Sequence, residues 1–202
     1  GKSALLKLVS RSYLPSKGKV YFNGTNLSRI SSQNYAGKCV TFSQNTAECL
    51  FPSLSVFENY QLWQMGRNQS FFQSFAKNDK ESFKEHIHQF NKKLVSKLDT
   101  EVRLLSGGEK QSLILGLIFL SPPELLLLDE HTSALDPKTS SHIMELTCEQ
   151  IAKYGITCMM VTHDLHHIQT YGNRLLVLKE GLVALDSREK PSLDQIMHYC
   201  YE

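Results

Sequence analysis

A chain of 202 residues is long enough for one large domain, or for a core domain carrying an inserted subdomain. With 41% hydrophobic and 21% charged residues it favours a packed core over disorder, and a net charge of +2 is too small to make nucleic acid or anionic lipid an obligatory partner. Five scattered cysteines without a C-x-x-C pair argue for a reducing compartment rather than a disulfide framework or zinc site, and no apolar run approaches the ~20 residues of a membrane span.

The chain opens Gly1-Lys2-Ser3 without an initiator Met and reads as a fragment whose natural N-terminus is missing. Residues 3–13 carry a helical apolar stripe. Residues 19–22 read as a strand, and Asn23-Gly24 after them is a strong turn signal. Residues 39–43 form a second short strand ending at Gln44. The character then changes. Ser55 and Glu58 make a capping box that opens an aromatic-rich helix. Phe83, Ile87, Phe90, Leu94 and Leu98 are spaced for an amphipathic helix over 80–98. Residues 45–104 therefore look like a mostly helical insertion, with Phe51, Phe57, Trp63, Phe71, Phe72 and Phe75 as its core or a docking surface. His86 and His88, two apart on a helix, are expected at the surface.

From 105 onward the chain alternates between helix and strand. Residues 106–120 are helical, and Leu125 to Leu128 is an all-apolar strand, as expected when both faces of a parallel sheet are covered. Asp136-Pro137 supplies an N-cap and a first-turn Pro for the next helix. Residues 156–162 read as a buried strand. Residues 174–178 and 182–185 form a hairpin across Glu180-Gly181, and Ser192 caps a last helix.

Five groups of residues suggest chemistry. The strand over 125–128 delivers Asp129 and Glu130 at its carboxyl end, where ligands bind in open α/β sheets. Side chains alternate, so Asp129 could hold a magnesium ion while Glu130 polarises an attacking water; the alternative is an acidic solvated loop. Ser106 and Glu109 form a capping box around Gly107 and Gly108, giving a bare, positively polarised helix end suited to phosphate oxygens; the alternative is an ordinary helix start. Gly1-Lys2-Ser3 matches the last three residues of the phosphate loop G-x-x-x-x-G-K-[ST], a tripeptide that also occurs by chance. His163 closes a strand, where it could meet a phosphate or orient a water, or simply be a hydrogen-bonded residue. The spacing of His163, His166 and His167 suggests a metal, but no Cys or carboxylate cluster joins them. Gln44 could reach a phosphate-bound metal through its amide oxygen, or be a loop residue.

Together and in order, these pieces resemble the ATP-binding-cassette (ABC) family along the whole chain. Gly1-Lys2-Ser3 resembles the end of Walker A and Gln44 the Q-loop glutamine. Leu105 to Glu109 resembles the signature LSGGQ, with Glu109 in place of Gln. Leu125 to Asp129 is similar to Walker B, with Glu130 as the following carboxylate. Residues 133–136 resemble the D-loop, and His163 the switch histidine. The resemblance implies an α/β fold of the P-loop NTPase type, with a mostly parallel sheet. Residues 1–44 and 105–202 would form the nucleotide-binding core and 45–104 a helical subdomain. It implies ATP and Mg2+ as ligands. Gly1, Lys2 and Ser3 would bind phosphates; Ser3, Gln44 and Asp129 would hold the metal. Glu130 would be the general base, with His163 and Gln44 also catalytic. Family members dimerise head to tail, so Ser106, Gly107, Gly108 and Glu109 would close the partner copy's site, with Asp136 at the interface.

Two departures stand out: the first part of Walker A is absent, and His131 replaces the usual Pro of D-E-P-T. The stretch LLLLDEHTSALDPKT resembles the ATPase subunits of bacterial importers that use periplasmic substrate-binding proteins, often for amino acids such as tryptophan. The resemblance thus implies a transporter ATPase at the cytoplasmic face of the plasma membrane, docked on a permease as a homodimer, with no nucleic-acid partner. The competing expectation is a soluble cassette ATPase of DNA repair, chromosome organisation or translation. Those usually carry coiled coils, a tandem cassette or basic surfaces, and none is visible.

Overall fold

The computed structural model describes residues 1–43, 45–67, 78–133 and 135–188. Its contacts divide the chain into two compact units: residues 32–159, and residues 1–31 with 160–202.

Within the first of these units, helix α2 (Ser32–Ala36) leads into strand β3 (Cys39–Ser43), numbered after two short strands of the other unit. Strand β4 (Leu125–Asp129) pairs in parallel with β3, from Cys39 opposite Leu125 to Ser43 opposite Asp129. Strand β5 (Thr157–Val161), whose last two residues are counted with the other unit, completes a three-stranded order β3-β4-β5. Leu126 to Leu128 are essentially inaccessible, so the continuous apolar run is a central strand covered on both faces. β5 departs from the expectation of a buried strand: Thr157 is exposed and 158–160 are half-buried, because among the described residues β5 is the outer strand of its sheet.

Between β3 and β4 lie helices α3 (Val56–Arg67), α4 (Asn78–His88) and α5 (Gly107–Leu120). The predicted capping box at Ser55 is present: the Glu58 carboxylate accepts from the Ser55 amide (2.7 Å) and Ser55 Oγ from the Glu58 amide (3.2 Å). The single helix expected over 80–98 is instead α4 followed by a 3-10 segment, Lys92–Lys97. Asn91 makes the break, its side chain accepting from the Lys93 amide at 3.0 Å. The apolar stripe survives that break, and Phe83, Ile87, Phe90, Leu94 and Leu98 are all buried. Each contributes roughly 1.5–3 kcal/mol to the core by leaving water.

The ends of this helical stretch close on each other. Amides of Val56 and Phe57 donate to carbonyls of Thr100 and Leu98, and amides of Val102 and Arg103 to carbonyls of Leu54 and Pro52. Buried Asn59 ties the loop before α3, accepting from the Phe51 amide (2.8 Å) and donating to the carbonyls of Phe51 (3.1 Å) and Ser55 (2.9 Å). The Phe51 side chain nevertheless stands 58% exposed rather than in the core, while Phe57 and Trp63 are half-buried. Phe71, Phe72 and Phe75 lie outside the described residues.

Helix α5 is nearly all buried, and α4 approaches it so closely that a Cβ on Gly116 would meet Ile87 Cδ1 within contact radius. His86, expected at the surface, is half-buried. Its Nε2 lies 2.7 Å from the Gly116 carbonyl, which can only accept, so Nε2 carries the hydrogen. Helix α6 (Pro137–Tyr154) packs on α5 and ends at Gly155, whose φ of 64° makes a left-handed cap.

The other unit holds helix α1 (Lys2–Val9), the hairpin β1 (Tyr21–Phe22) and β2 (Thr25–Asn26), helix α7 (Leu165–Tyr171), and the hairpin β6 (Leu175–Lys179) and β7 (Leu182–Ser187). α1 stops four residues short of the predicted end, because Arg11 takes a left-handed φ of 63°. Both hairpin turns fall where expected: Asn23-Gly24 has φ of 48° and 74°, and Glu180-Gly181 has 51° and 83°. Arg174 grips Asp186 across the second hairpin at 2.8 and 2.7 Å. The predicted cap at Ser192 lies outside the described residues. Among the described residues, no helix is long and apolar enough to cross a membrane.

Candidate functional site

β4 carries its buried run straight to Asp129 and Glu130, which are both half-buried. Glu130 takes a φ of 48°, a left-handed conformation uncommon for a residue with a side chain. Two hydrogen bonds fix it: the Ser133 amide (3.0 Å) and Ser133 Oγ (2.9 Å) both donate to the Glu130 carbonyl. His131 is buried, with its ring 5.1 Å from that of Phe42 on β3 and tilted by 55°. The turn that presents the two carboxylates is thus pinned by hydrogen bonds on one side and an aromatic contact on the other.

The start of α5 is built as the sequence suggests. Ser106 Oγ accepts from the Glu109 amide (3.3 Å), and the Glu109 carboxylate accepts from the Ser106 amide (2.9 Å). Ser106 and Gly107 are exposed, Gly108 is half-buried, and Glu109 is buried. The first amides of a helix lack intrahelical acceptors, so this end can receive an anion. Gly108 has a second reason for being glycine: a Cβ there would come 2.6 Å from Thr139 Cγ2, and one on Gly107 would come 3.4 Å from Leu135 Cδ2. The helix start therefore packs on the segment that opens α6. Asp136 caps that helix, accepting from the Thr139 amide at 3.1 Å, with Pro at the first turn. Hydrogen bonds from Thr139 hold the Asp136 carboxyl below its ordinary value.

Lys97 is the residue that sequence reading missed here. Its Nζ donates to Glu109 Oε1 at 2.6 Å. Burial pushes the Glu109 carboxyl up, but Lys97 and the Ser106 amide outweigh it and leave the group below the ordinary carboxylate range. Twelve residues separate the pair, and no local spacing reveals it.

In the other unit, Gly1 caps α1 without a side-chain hydrogen bond, and Lys2 and Ser3 lie exposed on its first turn. His163 is exposed just beyond β5. After it, Asp164 caps α7 by accepting from the amides of His166 (2.8 Å) and His167 (3.3 Å). His167 is buried, with its ring 5.9 Å from that of Tyr171, so the histidine spacing serves packing as well as capping. Among the described residues, no group of three or more His, Cys, Asp or Glu could hold a metal by itself. The hydroxyl of Ser3 and the carboxylate of Asp129 are hard oxygen donors, the kind that magnesium takes together with substrate phosphates and water. Gln44 lies outside the described residues.

A buried strand ending in two carboxylates, with a bare capped helix start in the same chain, gives an α/β domain with groups suited to a phosphate-bearing ligand. The comparisons sharpen this. The family model described as ABC transporter matches residues 1–133. A tyrosine transport ATP-binding protein of Clostridioides difficile is 36% identical over 191 residues, covering 94% of this chain and 76% of the relative. A phosphonates import ATP-binding protein of Synechococcus is 30% identical, covering 100% of this chain and 76% of that one. Among solved structures, cbiO1 from Clostridium perfringens, part of the ABC transporter complex cbiONQ, superimposes with a TM-score of 0.76 at 25% identity, over 93% of this chain and 72% of that one. The chain belongs to the ABC transporter family and is an ATP-binding, ATP-hydrolysing subunit.

Proposed function

We propose that this subunit powers a bacterial importer of amino acids or similar small solutes. It would work as a head-to-tail dimer docked on a permease at the cytoplasmic face of the membrane. The similarity to a tyrosine transport ATP-binding protein supports the solute class. The observation that carries the catalytic reading is the pinned turn after β4: Glu130 sits in a left-handed conformation that Ser133 and the buried His131 over-determine.

In this reading Glu130 is the general base that takes a proton from the attacking water, and Asp129 with Ser3 and Gln44 holds magnesium. Lys2 binds phosphate oxygens with the amides of Gly1 and the first turn of α1, and His163 contacts the terminal phosphate. Magnesium, when bound, offsets the charge of the phosphates. Ser106, Gly107, Gly108 and Glu109 receive the phosphates of the nucleotide held by the partner copy, and Asp136 lies at the copy–copy interface. Residues 45–104 form the helical subdomain inserted in a core of 1–44 and 105–202. The bonds that zip 52–57 to 98–103 support that boundary.

ATP-driven dimerisation tests the proposal. Light scattering on the intact Glu130→Gln protein should show a monomer without ATP and a dimer with it, and Ser106→Arg in that background should stay monomeric. A protein that remains monomeric with ATP in both forms contradicts the head-to-tail arrangement.

A further inference from the structure

The helix start at Ser106 carries a carboxylate, Glu109, where the family signature has an uncharged Gln. A carboxylate beside bound phosphates would repel them, and Glu109 is too buried for water to screen it well. Its charge is answered from outside its own helix: Lys97, on the 3-10 segment after α4, places Nζ 2.6 Å from Oε1 while Oε2 takes the Ser106 amide at 2.9 Å. The Lys97 side chain keeps about a third of its surface in water (36%), whereas the carboxylate's side chain keeps 9%. The lysine therefore gives up part of its hydration to reach inward, as it would to compensate a fixed buried charge. With both oxygens of Glu109 engaged, the capping box keeps the geometry that Gln would give, and the pair adds no net charge.

We propose that Lys97 is a positioning residue of the nucleotide site, neutralising Glu109 so that the start of α5 can receive phosphate. The inference rests on the reading that Ser106 to Glu109 face the nucleotide. Lys97 acts only through Glu109, which gives it a signature in affinity rather than in stability: its loss should raise KM only while Glu109 carries its charge.

The test is steady-state ATP hydrolysis by the intact protein carrying Lys97→Met, Lys97→Arg, Glu109→Gln, or Lys97→Met with Glu109→Gln. Lys97→Met should raise KM for magnesium-ATP roughly tenfold, the scale expected for one unscreened charge several ångströms from a phosphate at a protein-like dielectric. Lys97→Arg should stay within about twofold of the parent, and the double variant within about twofold of Glu109→Gln alone. A thermal melt on each variant separates loss of fold from loss of affinity. The double variant leaves no unpaired charge, so it decides the matter even if Lys97→Met does not fold: a KM equal to that of Glu109→Gln supports the proposal and one raised well above it overturns it. An unchanged KM in a folded Lys97→Met also overturns it. Ser106→Arg is the separate control on the underlying reading. If it leaves KM and turnover untouched, the helix start does not face nucleotide, and that reading fails whatever Lys97 does.

Discussion

At the scale of single residues, His86 shows how packing can favour the neutral form of an imidazole. Burial beside Phe90 lowers its pKa. The Gly116 carbonyl, which would favour the cation, works against that, and Lys153 adds to the lowering. A histidine with a depressed folded-state pKa favours folding when neutral. Its contribution is therefore complete above its ordinary value near ~6.5 and lost as pH falls through the lower folded value. Melting curves between about pH 7 and about pH 5 should show the parent losing more stability than His86→Gln, whose amide can still donate to Gly116. Equal losses in both proteins would mean that His86 titrates normally. Nothing in the sequence marks this residue: its partner is a backbone carbonyl 30 positions away. The Lys97–Glu109 pair was hidden for the same reason, whereas the capping boxes at Ser55 and Ser106 were legible because their partners are three residues apart.

At the scale of elements, periodicity located the helices and strands but not their ends. The stripe from Phe83 to Leu98 is buried as its spacing demands, yet Asn91 divides it, because an Asn side chain can serve the following amides in place of the helix. The strand ending at Asp129 was readable because a strand covered on both faces accepts four consecutive leucines and a Pro-Pro pair closes the preceding helix. The helical stretch also exposes what an isolated core would hide. Phe51 (58%), Leu62 (38%), Met65 (40%) and Leu104 (68%) stand in water. In the proposed assembly these side chains meet the permease. Phe51→Asp should leave the fold intact, since Asn59 holds that backbone without the ring. In vesicles containing the permease, it should reduce solute uptake roughly tenfold or more while basal ATP hydrolysis stays within about twofold. Parallel loss of both activities would count against a docking role.

At the scale of the whole molecule, the chain's chemistry is distributed. The carboxylates at the end of β4 and the capped start of α5 lie in the unit of residues 32–159, while Lys2, Ser3 and His163 belong to the other. The sequence made each piece recognisable because each has a local reason for its residue types: alternation at a strand end, glycine under a helix start, a hydroxyl on a first turn. Contacts between residues far apart in the chain, such as Lys97 with Glu109, are not encoded in such local spacing. The proposed role of Glu130 as the base of this ATPase is probed by turnover of Glu130→Gln in the intact protein. At saturating magnesium-ATP the rate should fall ~10²–10⁴-fold while calorimetric affinity for the nucleotide is retained. Turnover close to the parent's, with affinity unchanged, would mean that Glu130 is not the base.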